Sequence, residues 1–147
     1  VTIPNNITSI GERAFQSCSS LTSIKIPHSV TSIGDVAFGN CEKLTDIIIP
    51  DSVKTIGWAA FISCSNLTNI SLSSSLTRIS DYMFQRCNNL TSITIPDSVT
   101  NIGDYAFYNC KNLETIYFNG TKDQWKLIKK GQPWKDGTNE VKIIFKG

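Results

Sequence analysis

The chain has 147 residues, of which 40% are hydrophobic, and this length and composition suit one domain with a continuous core. Charged residues make up 18% of the chain and the formal net charge is +2, a value too small to indicate nucleic-acid binding. No run of 18 consecutive apolar residues occurs, so the sequence predicts no insertion into a membrane.

A 23-residue repeat runs through most of the chain. One position of the repeat is always cysteine, a second is phenylalanine and a third is leucine. The three columns are Cys18, Cys41, Cys64, Cys87 and Cys110; Phe15, Phe38, Phe61, Phe84 and Phe107; and Leu21, Leu44, Leu67, Leu90 and Leu113. A fixed period of this length predicts one supersecondary unit copied along an axis, in which each copy buries its apolar face against its neighbours.

Residues 21–43 show the predicted elements of one unit in chain order. Apolar alternation at Ile24 and Ile26 predicts a short strand with both side chains inward. Pro27 ends this strand, because proline has no N–H to donate to a neighbouring strand. Ser29 follows at a position where a side chain can bond a buried backbone group. Its counterparts in the other units are Asn6, Ser52, Ser75 and Ser98.

The second half of the unit predicts one or two turns of helix on the other side of the coil. Gly34 precedes these turns and is expected to have a positive φ. Asp35 is placed to cap the first turn. A buried stripe with the spacing of a helix is predicted at Ile33, Ala37, Phe38 and Cys41.

Stacked units of this kind form a solenoid, because each unit contains a strand that pairs in parallel with the next, about 4.8 Å away. The predicted fold is therefore an α/β solenoid with a parallel β-sheet on one side and short helical turns on the other. Residues 1–120 are predicted to hold five 23-residue repeats, the first of them truncated on its N-terminal side.

Residues 121–147 are predicted to form a C-terminal cap made of a helix, a loop and a strand. Thr121 and Gln124 have the spacing of a capping box, which indicates the start of the helix. The strand Val141–Phe145 echoes the last strand of the repeats and would cover the open edge of the sheet. Seven Lys/Arg against three Asp/Glu make this segment basic, which is typical of a solvated terminal cap.

The pattern Leu21-x-x-Ile24-x-Ile26-x-x-Ser29 resembles the leucine-rich repeat signature. The fuller form IPxSVTxIGxxAFxxC resembles the BspA-type leucine-rich repeats of bacterial and protist surface proteins, and it covers residues 1–118 in five near-complete copies. The resemblance implies a right-handed leucine-rich-repeat solenoid and a role in cell adhesion. It also implies a location at the cell surface or in the secreted fraction. Because the chain begins inside a repeat, we expect it to be a fragment whose targeting signal lies elsewhere.

No constellation of catalytic or metal-binding residues interrupts the repeat. The five cysteines lack the close CxxC pairs of zinc sites, and their shared inward position predicts free, buried thiols. His28 is the only histidine and lies on a predicted surface turn, with no nucleophile or orienting partner indicated. Carboxylates recur at Asp35, Asp81 and Asp104, but Trp58 interrupts the column, so calcium binding is not predicted. We therefore expect no enzyme activity, no cofactor and no metal.

Outward positions predict where a partner binds, because packing does not require particular residues there. The expected partner surface combines outward strand positions with large apolar residues of the turn side. Its strand residues are Lys25, Ile48, Ser71, Thr94 and Tyr117, and its turn-side residues are Trp58, Ile62, Tyr82 and Tyr105. Val36 and Tyr108 belong to the same turn-side cluster, and the alternative for this cluster is partial burial between neighbouring turns.

Two functions are compatible with these features. The first is a non-enzymatic binding or adhesion module that presents its repeat surface to a protein or to a host or matrix component. The second is a structural spacer that projects another domain of a larger cell-surface protein, a reading favoured by the polar Ser/Thr residues of the sheet face. The sequence leaves open which face binds, what the ligand is, and the oligomeric state.

Overall fold

Short β-strands occur twice in most coils of the chain. In the computed structural model, which describes all 147 residues, the elements are β1 (Ser9–Ile10), β2 (Ser32–Ile33), β3 (Asp46–Ile48), β4 (Thr55–Ile56), β5 (Asn69–Ser71), β6 (Arg78–Ile79), β7 (Ser92–Ile95), β8 (Asn101–Ile102), β9 (Thr115–Phe118), α1 (Lys122–Leu127), β10 (Lys129–Lys130) and β11 (Lys142–Phe145). Strands β3, β5, β7, β9 and β11 lie on one side of the coils and are called the main sheet. The remaining strands form the second sheet.

Strand pairing in both sheets is parallel and joins successive coils. Ile47 lies opposite Ile70, its counterpart in the next repeat. An isolated bridge from Ser23 to Asp46 extends the main sheet toward the N-terminus. Inward positions such as Ile47 are buried while their sequence neighbours point outward, as strand geometry requires. This arrangement confirms the predicted parallel-strand solenoid.

The turn side consists of residues 34–41 and their counterparts in the other coils. The prediction that it is helical is wrong. Val36 and Asn40 have φ values of 55° and 57°, and a residue in this left-handed region cannot continue a right-handed helix. Alternate N–H groups instead point to the next coil: those of Val36, Phe38 and Asn40 donate to its carbonyl oxygens at 2.8–2.9 Å. The same bonds recur at each coil boundary, so the turn side is a third ladder that joins the coils.

Two local predictions on the turn side are also wrong. Asp35 does not cap its own turn, because its Oδ1 accepts the N–H of Trp58 in the next coil at 3.0 Å. Gly34 does not have a positive φ. A Cβ at Gly34 would lie 2.5 Å from the backbone nitrogen of Glu12, so glycine is required here for the close approach of successive coils.

Ser80 takes the place of this glycine in one coil, and the second sheet changes there. The Ser80 hydroxyl donates to the carbonyl of Ile56 at 2.5 Å. In the preceding coil Gly57 makes the equivalent bond with its backbone N–H, to Ile33 at 2.8 Å. Pairing in the second sheet is interrupted between β4 and β6, at this same boundary. The hydroxyl therefore replaces a backbone bond that the glycine coils make.

The core is a continuous stack of apolar columns. One cluster of 36 buried residues runs through the array. The rings of Phe15, Phe38, Phe61, Phe84 and Phe107 are stacked with neighbouring centroids 5.3–5.8 Å apart. Each central ring is buried between the rings of the coils before and after it, so neighbouring coils stabilise one another.

The serine column predicted to bond buried backbone groups does so at two of its positions. Ser75 donates to the carbonyl of Asp51 at 2.7 Å, and Ser98 donates to a carbonyl of the preceding coil at 2.5 Å. The hydroxyls of Ser29 and Ser52 are buried without a partner. The short serine side chain therefore forms the expected ladder only in part.

The segment after the repeats covers the C-terminal edge of both sheets. Thr121 and Gln124 form the predicted capping box of α1, with bonds of 3.1 and 2.7 Å. The predicted final strand is present as β11, which pairs with β9 over its whole length. Strand β10, which pairs with β8, was not predicted. The boundary between repeats and cap at residue 120 stays a prediction.

Aromatic packing joins this cap to the repeat core. Trp134 meets Phe107 edge-on with ring centroids 6.2 Å apart, so it ends the phenylalanine column. Trp125 packs on Phe118 at 5.3 Å. Lys130 donates from its Nζ to the carbonyl of Trp125 at 2.9 Å and so bonds the end of α1. No helix has the length and the apolar character needed to cross a membrane.

Candidate binding surfaces

The outward positions of the main sheet form a continuous surface that we call the main-sheet face. One column consists of Lys25, Ile48, Ser71, Thr94 and Tyr117, and the column beside it consists of Ser23, Asp46, Asn69, Ser92 and Thr115. Of the five predicted partner residues in the first column, three are exposed. Thr94 and Tyr117 are half-buried, toward the end that the cap covers.

Ile48 is the most unusual residue of the main-sheet face. It is 71% exposed, although its neighbours Ile47 and Ile49 point inward and are 3% and 2% exposed. A shallow depression lies on each side of it, one of about 400 Å³ lined by Lys25 and one of about 380 Å³ lined by Ser71. An exposed isoleucine between two depressions contributes nothing to the core and can contact a partner.

A fixed carboxylate lies beside Ile48. The Thr45 hydroxyl donates to Asp46 at 2.7 Å and the Asn69 side-chain amide donates to it at 3.1 Å. These hydrogen bonds, the one from Thr45 first, hold the pKa of Asp46 below its usual value. Asp46 is therefore ionised at neutral pH, one coil away from the ammonium of Lys25. The face thus combines an apolar centre with charges of both signs.

The cap extends the main-sheet face at its C-terminal end. Ile144 of β11 lies opposite Tyr117 in the sheet. The ammonium of Lys146 lies 4.7 Å from the centre of the Tyr117 ring, which explains why this tyrosine is half-buried. The sequence pattern indicated the strand that covers β9, but it did not indicate this contact, because Lys146 lies outside the 23-residue repeats.

The turn-side residues lie on another side of the coil and do not join the main-sheet face. Tyr82 and Tyr105 are half-buried and stacked with their centroids 5.1 Å apart, and Tyr108 meets Tyr105 edge-on. Ile62 is half-buried as well. Trp58 is 47% exposed. Val36 of the same predicted cluster is buried, with its Cγ1 close to Gly39 of its own coil.

Potential ligands for a metal do not converge anywhere in the chain. No group of three or more His, Cys, Asp or Glu side chains is placed to hold an ion. His28 is exposed on its turn, near Asp51. Asp51 accepts the N–H of Ser74 at 2.8 Å, and this bond lowers the pKa of the carboxyl. The bond between Asp51 and Ser74 stabilises a local turn. The chemical role that this arrangement supports is contact with a partner at the surface.

The cysteines are free, as predicted, but they are not all buried. Four of them donate from their thiols to the carbonyl of the phenylalanine in the preceding coil at 2.9–3.2 Å. These four are Cys41, Cys64, Cys87 and Cys110. Cys18 is half-buried in the first coil that the structure describes. The expectation that all five are buried is therefore corrected at Cys18.

Thiol titration should separate these two classes. Burial raises the pKa of Cys41 to about 11 and that of Cys110 to about 12, and it raises the pKa of Cys64 and Cys87 well above the ordinary value. Since the thiolate is the reactive form, we expect one fast-reacting group in native buffer and all five in denaturant without reductant. Fewer than five after denaturation would show disulfides, and several fast groups would show an open core.

Leucine-rich repeat proteins have this architecture, a solenoid of short coils joined by parallel strands, with outward side chains available for contact. Residues 1–120 match the model of the BspA type leucine rich repeat region in six copies, and the chain belongs to this family. None of the curated proteins matches the chain.

Solved structures of bacterial proteins share the fold. A leucine-rich repeat protein of T. pallidum is 29% identical with a TM-score of 0.77, over 97% of this chain and 72% of that one. A leucine-rich cell surface protein of Faecalibacterium prausnitzii is 27% identical with a TM-score of 0.66, over 88% of this chain and 50% of that one. A leucine-rich repeat protein of Bacteroides ovatus is 26% identical with a TM-score of 0.67, over 98% and 48%. The chain thus spans about half the length of two of these three proteins.

Proposed function

We propose that this chain is a non-enzymatic binding module that attaches a cell surface to a protein of a host or its extracellular matrix through the main-sheet face. The observation that carries the proposal is the 71% exposure of Ile48 at a position where the neighbouring coils have Lys25 and Ser71. Apolar side chains of this size are the residues that a partner buries at the centre of an interface, with polar groups around them.

The surroundings of Ile48 support this proposal. The depressions beside it would receive side chains of the partner, and Asp46 and Lys25 would set its orientation through charge. A second apolar contact is available at Tyr117, three coils further along the face, and at Ile144 in the strand beside it. A rigid array holds these contacts at constant spacing, so little ordering of the chain is needed on binding.

Location at the cell surface is part of the proposal. Its support is membership of a repeat family together with similarity to the cell surface protein of Faecalibacterium prausnitzii. Adhesion fits a rigid, extended array better than catalysis does, because a solenoid of this kind has no enclosed site in which water could be excluded from a reaction.

The binding experiment uses immobilised, purified extracellular-matrix proteins and intact epithelial cells as probes. Ile48→Ser introduces the residue that the next coil has at this position, so the strand is expected to remain intact. We expect wild-type protein to bind at least one probe and Ile48→Ser to bind it about tenfold more weakly, as for a central interface residue. The measurement is surface plasmon resonance for the proteins and flow cytometry for the cells.

Leu127→Ser provides the matched control, because Leu127 is 81% exposed but lies on the cap helix, away from the main-sheet face. It removes the same amount of apolar side chain, and we expect it to bind like wild type. Equal losses of affinity for the two variants would show that binding results from nonspecific hydrophobic contact. Absence of binding to every probe would contradict the proposal and favour the structural spacer.

A further inference from the structure

Trp58 occupies a repeat position that otherwise has a carboxylate. Its counterparts are Glu12, Asp35, Asp81 and Asp104. Each aspartate accepts, through its Oδ1, the backbone N–H of the residue one coil further on at 3.0 Å. An indole ring cannot accept such a bond, and the N–H of Asp81 has no partner. Trp58 therefore removes a bond that the repeat makes elsewhere, and packing of the array does not explain its presence.

The ring of Trp58 is also the only tryptophan ring without a cation over it. The ammonium of Lys130 lies 4.7 Å from the centre of the Trp125 ring, and that of Lys135 lies 5.8 Å from the Trp134 ring. No lysine or arginine of the chain lies over Trp58, which is 47% exposed. Its aromatic face is therefore available to a group from another molecule.

Two carboxylates occupy the repeat position of Trp58 in the coils on either side of it. Asp35 lies one coil before Trp58 and Asp81 one coil after it, at steps of about 4.8 Å. The Oδ1 of Asp35 accepts the N–H of Trp58 at 3.0 Å. The Oδ1 of Asp81 accepts from Asp104 at 3.0 Å and from Arg78 at 2.9 Å. Both side chains are thus held in place, and the Oδ2 of each has no hydrogen bond within the protein.

We propose that Trp58 is the centre of a second binding site, which takes an arginine side chain of a partner protein. A guanidinium group is planar, so it can stack on the indole face while its N–H groups donate to the Oδ2 of Asp35. The ring face and the Asp35 carboxylate attract a cation, so a neutral ligand gains less at this site, whereas the Asp81 carboxylate already forms a salt bridge with Arg78. A lysine ammonium carries the charge, but it does not stack and donate as a fork.

The test measures binding of fluorescein-labelled tetra-arginine, tetra-lysine and tetra-citrulline peptides to the whole chain by fluorescence anisotropy. Citrulline keeps the shape and loses the charge. We expect the wild type to bind the peptides in the order arginine, lysine, citrulline. In Trp58→Asn the new amide oxygen can accept the N–H of Asp81, so the variant should fold at least as well. We expect its affinity for tetra-arginine to fall about two- to fivefold, as for an exposed cation–π contact.

Asp35→Asn keeps the acceptor for the N–H of Trp58 and removes only the charge, so it should weaken tetra-arginine binding without lowering the melting temperature. Ile48→Ser should bind the three peptides like wild type, which makes failure of this site distinguishable from failure of the main-sheet face. Unchanged affinity of Trp58→Asn for tetra-arginine would overturn the proposal. So would equal binding of arginine and citrulline peptides, or binding of a neutral oligosaccharide in their place.

Discussion

Replacing Phe61 with alanine is expected to lower the free energy of unfolding by about 3–5 kcal/mol. Phe61 is fully buried in the middle of the array, with the ring of Phe38 at 5.3 Å and that of Phe84 at 5.8 Å. The cavity would interrupt the column between two halves of the solenoid, and Phe38 and Phe84 would each keep only one stacked ring, that of Phe15 or Phe107. Chemical denaturation monitored by circular dichroism measures the change.

Trp58→Ala is the control for this prediction, because it removes a larger ring from the surface. With 47% of Trp58 exposed, we expect a loss of about 1 kcal/mol or less. Similar losses for the two variants would show that the inward and outward faces of the turn side are assigned wrongly.

Removal of residues 121–147 is expected to cause aggregation and a lower melting temperature. The deletion leaves β8 and β9 without their partners β10 and β11. It also removes the carbonyl groups of Pro133, Trp134 and Asp136, which accept three N–H groups of the last turn-side ladder. Unpaired strand edges next to exposed apolar columns promote association between copies.

Size-exclusion chromatography with light scattering and a thermal melt measure these effects. Leu127→Ser is the control, since it alters the surface of the cap and leaves all of its pairing intact. A deletion variant that remains monomeric and keeps the melting temperature of the whole chain would show that these residues do not cap the solenoid.

The stacking of the coils could be predicted because it follows directly from the period. Columns of identical residues, such as Phe38 and Phe61, can be in contact only if successive coils are in register. The observed pairing of Ile47 with Ile70, which occupy the same position of successive repeats, follows from this. Outward strand positions were predictable for the same reason, since alternation along a short strand separates Ile48 from Ile47 and Ile49.

The turn side could not be predicted from spacing. Apolar residues at Ala37, Phe38 and Cys41 fit a helix, but they equally fit successive turns with left-handed residues between them. Local periodicity indicates which side chains point inward. It does not indicate the direction of the backbone N–H groups. In this chain they bond to the next coil, and Val36 has a positive φ that a β-branched residue seldom adopts in isolation.

The contacts with the cap could not be predicted from the repeat pattern either. The lysine over Tyr117 is Lys146, which lies outside the repeats, so the partial cover of this tyrosine was not predictable. This feature is set by the cap, where the rule that each coil resembles its neighbour no longer applies.

Hydroxyl-radical footprinting of the free chain and of its complex with the matrix protein it binds tests the main claim, that the main-sheet face contacts the partner. Mass spectrometry reports the oxidation of each side chain, and isoleucine, leucine and aromatic residues are present on the surfaces in question. We predict that oxidation of Ile48 and Tyr117 falls in the complex while that of Leu127 is unchanged. Equal oxidation of Ile48 and Tyr117 in the free and bound chain would contradict the claim.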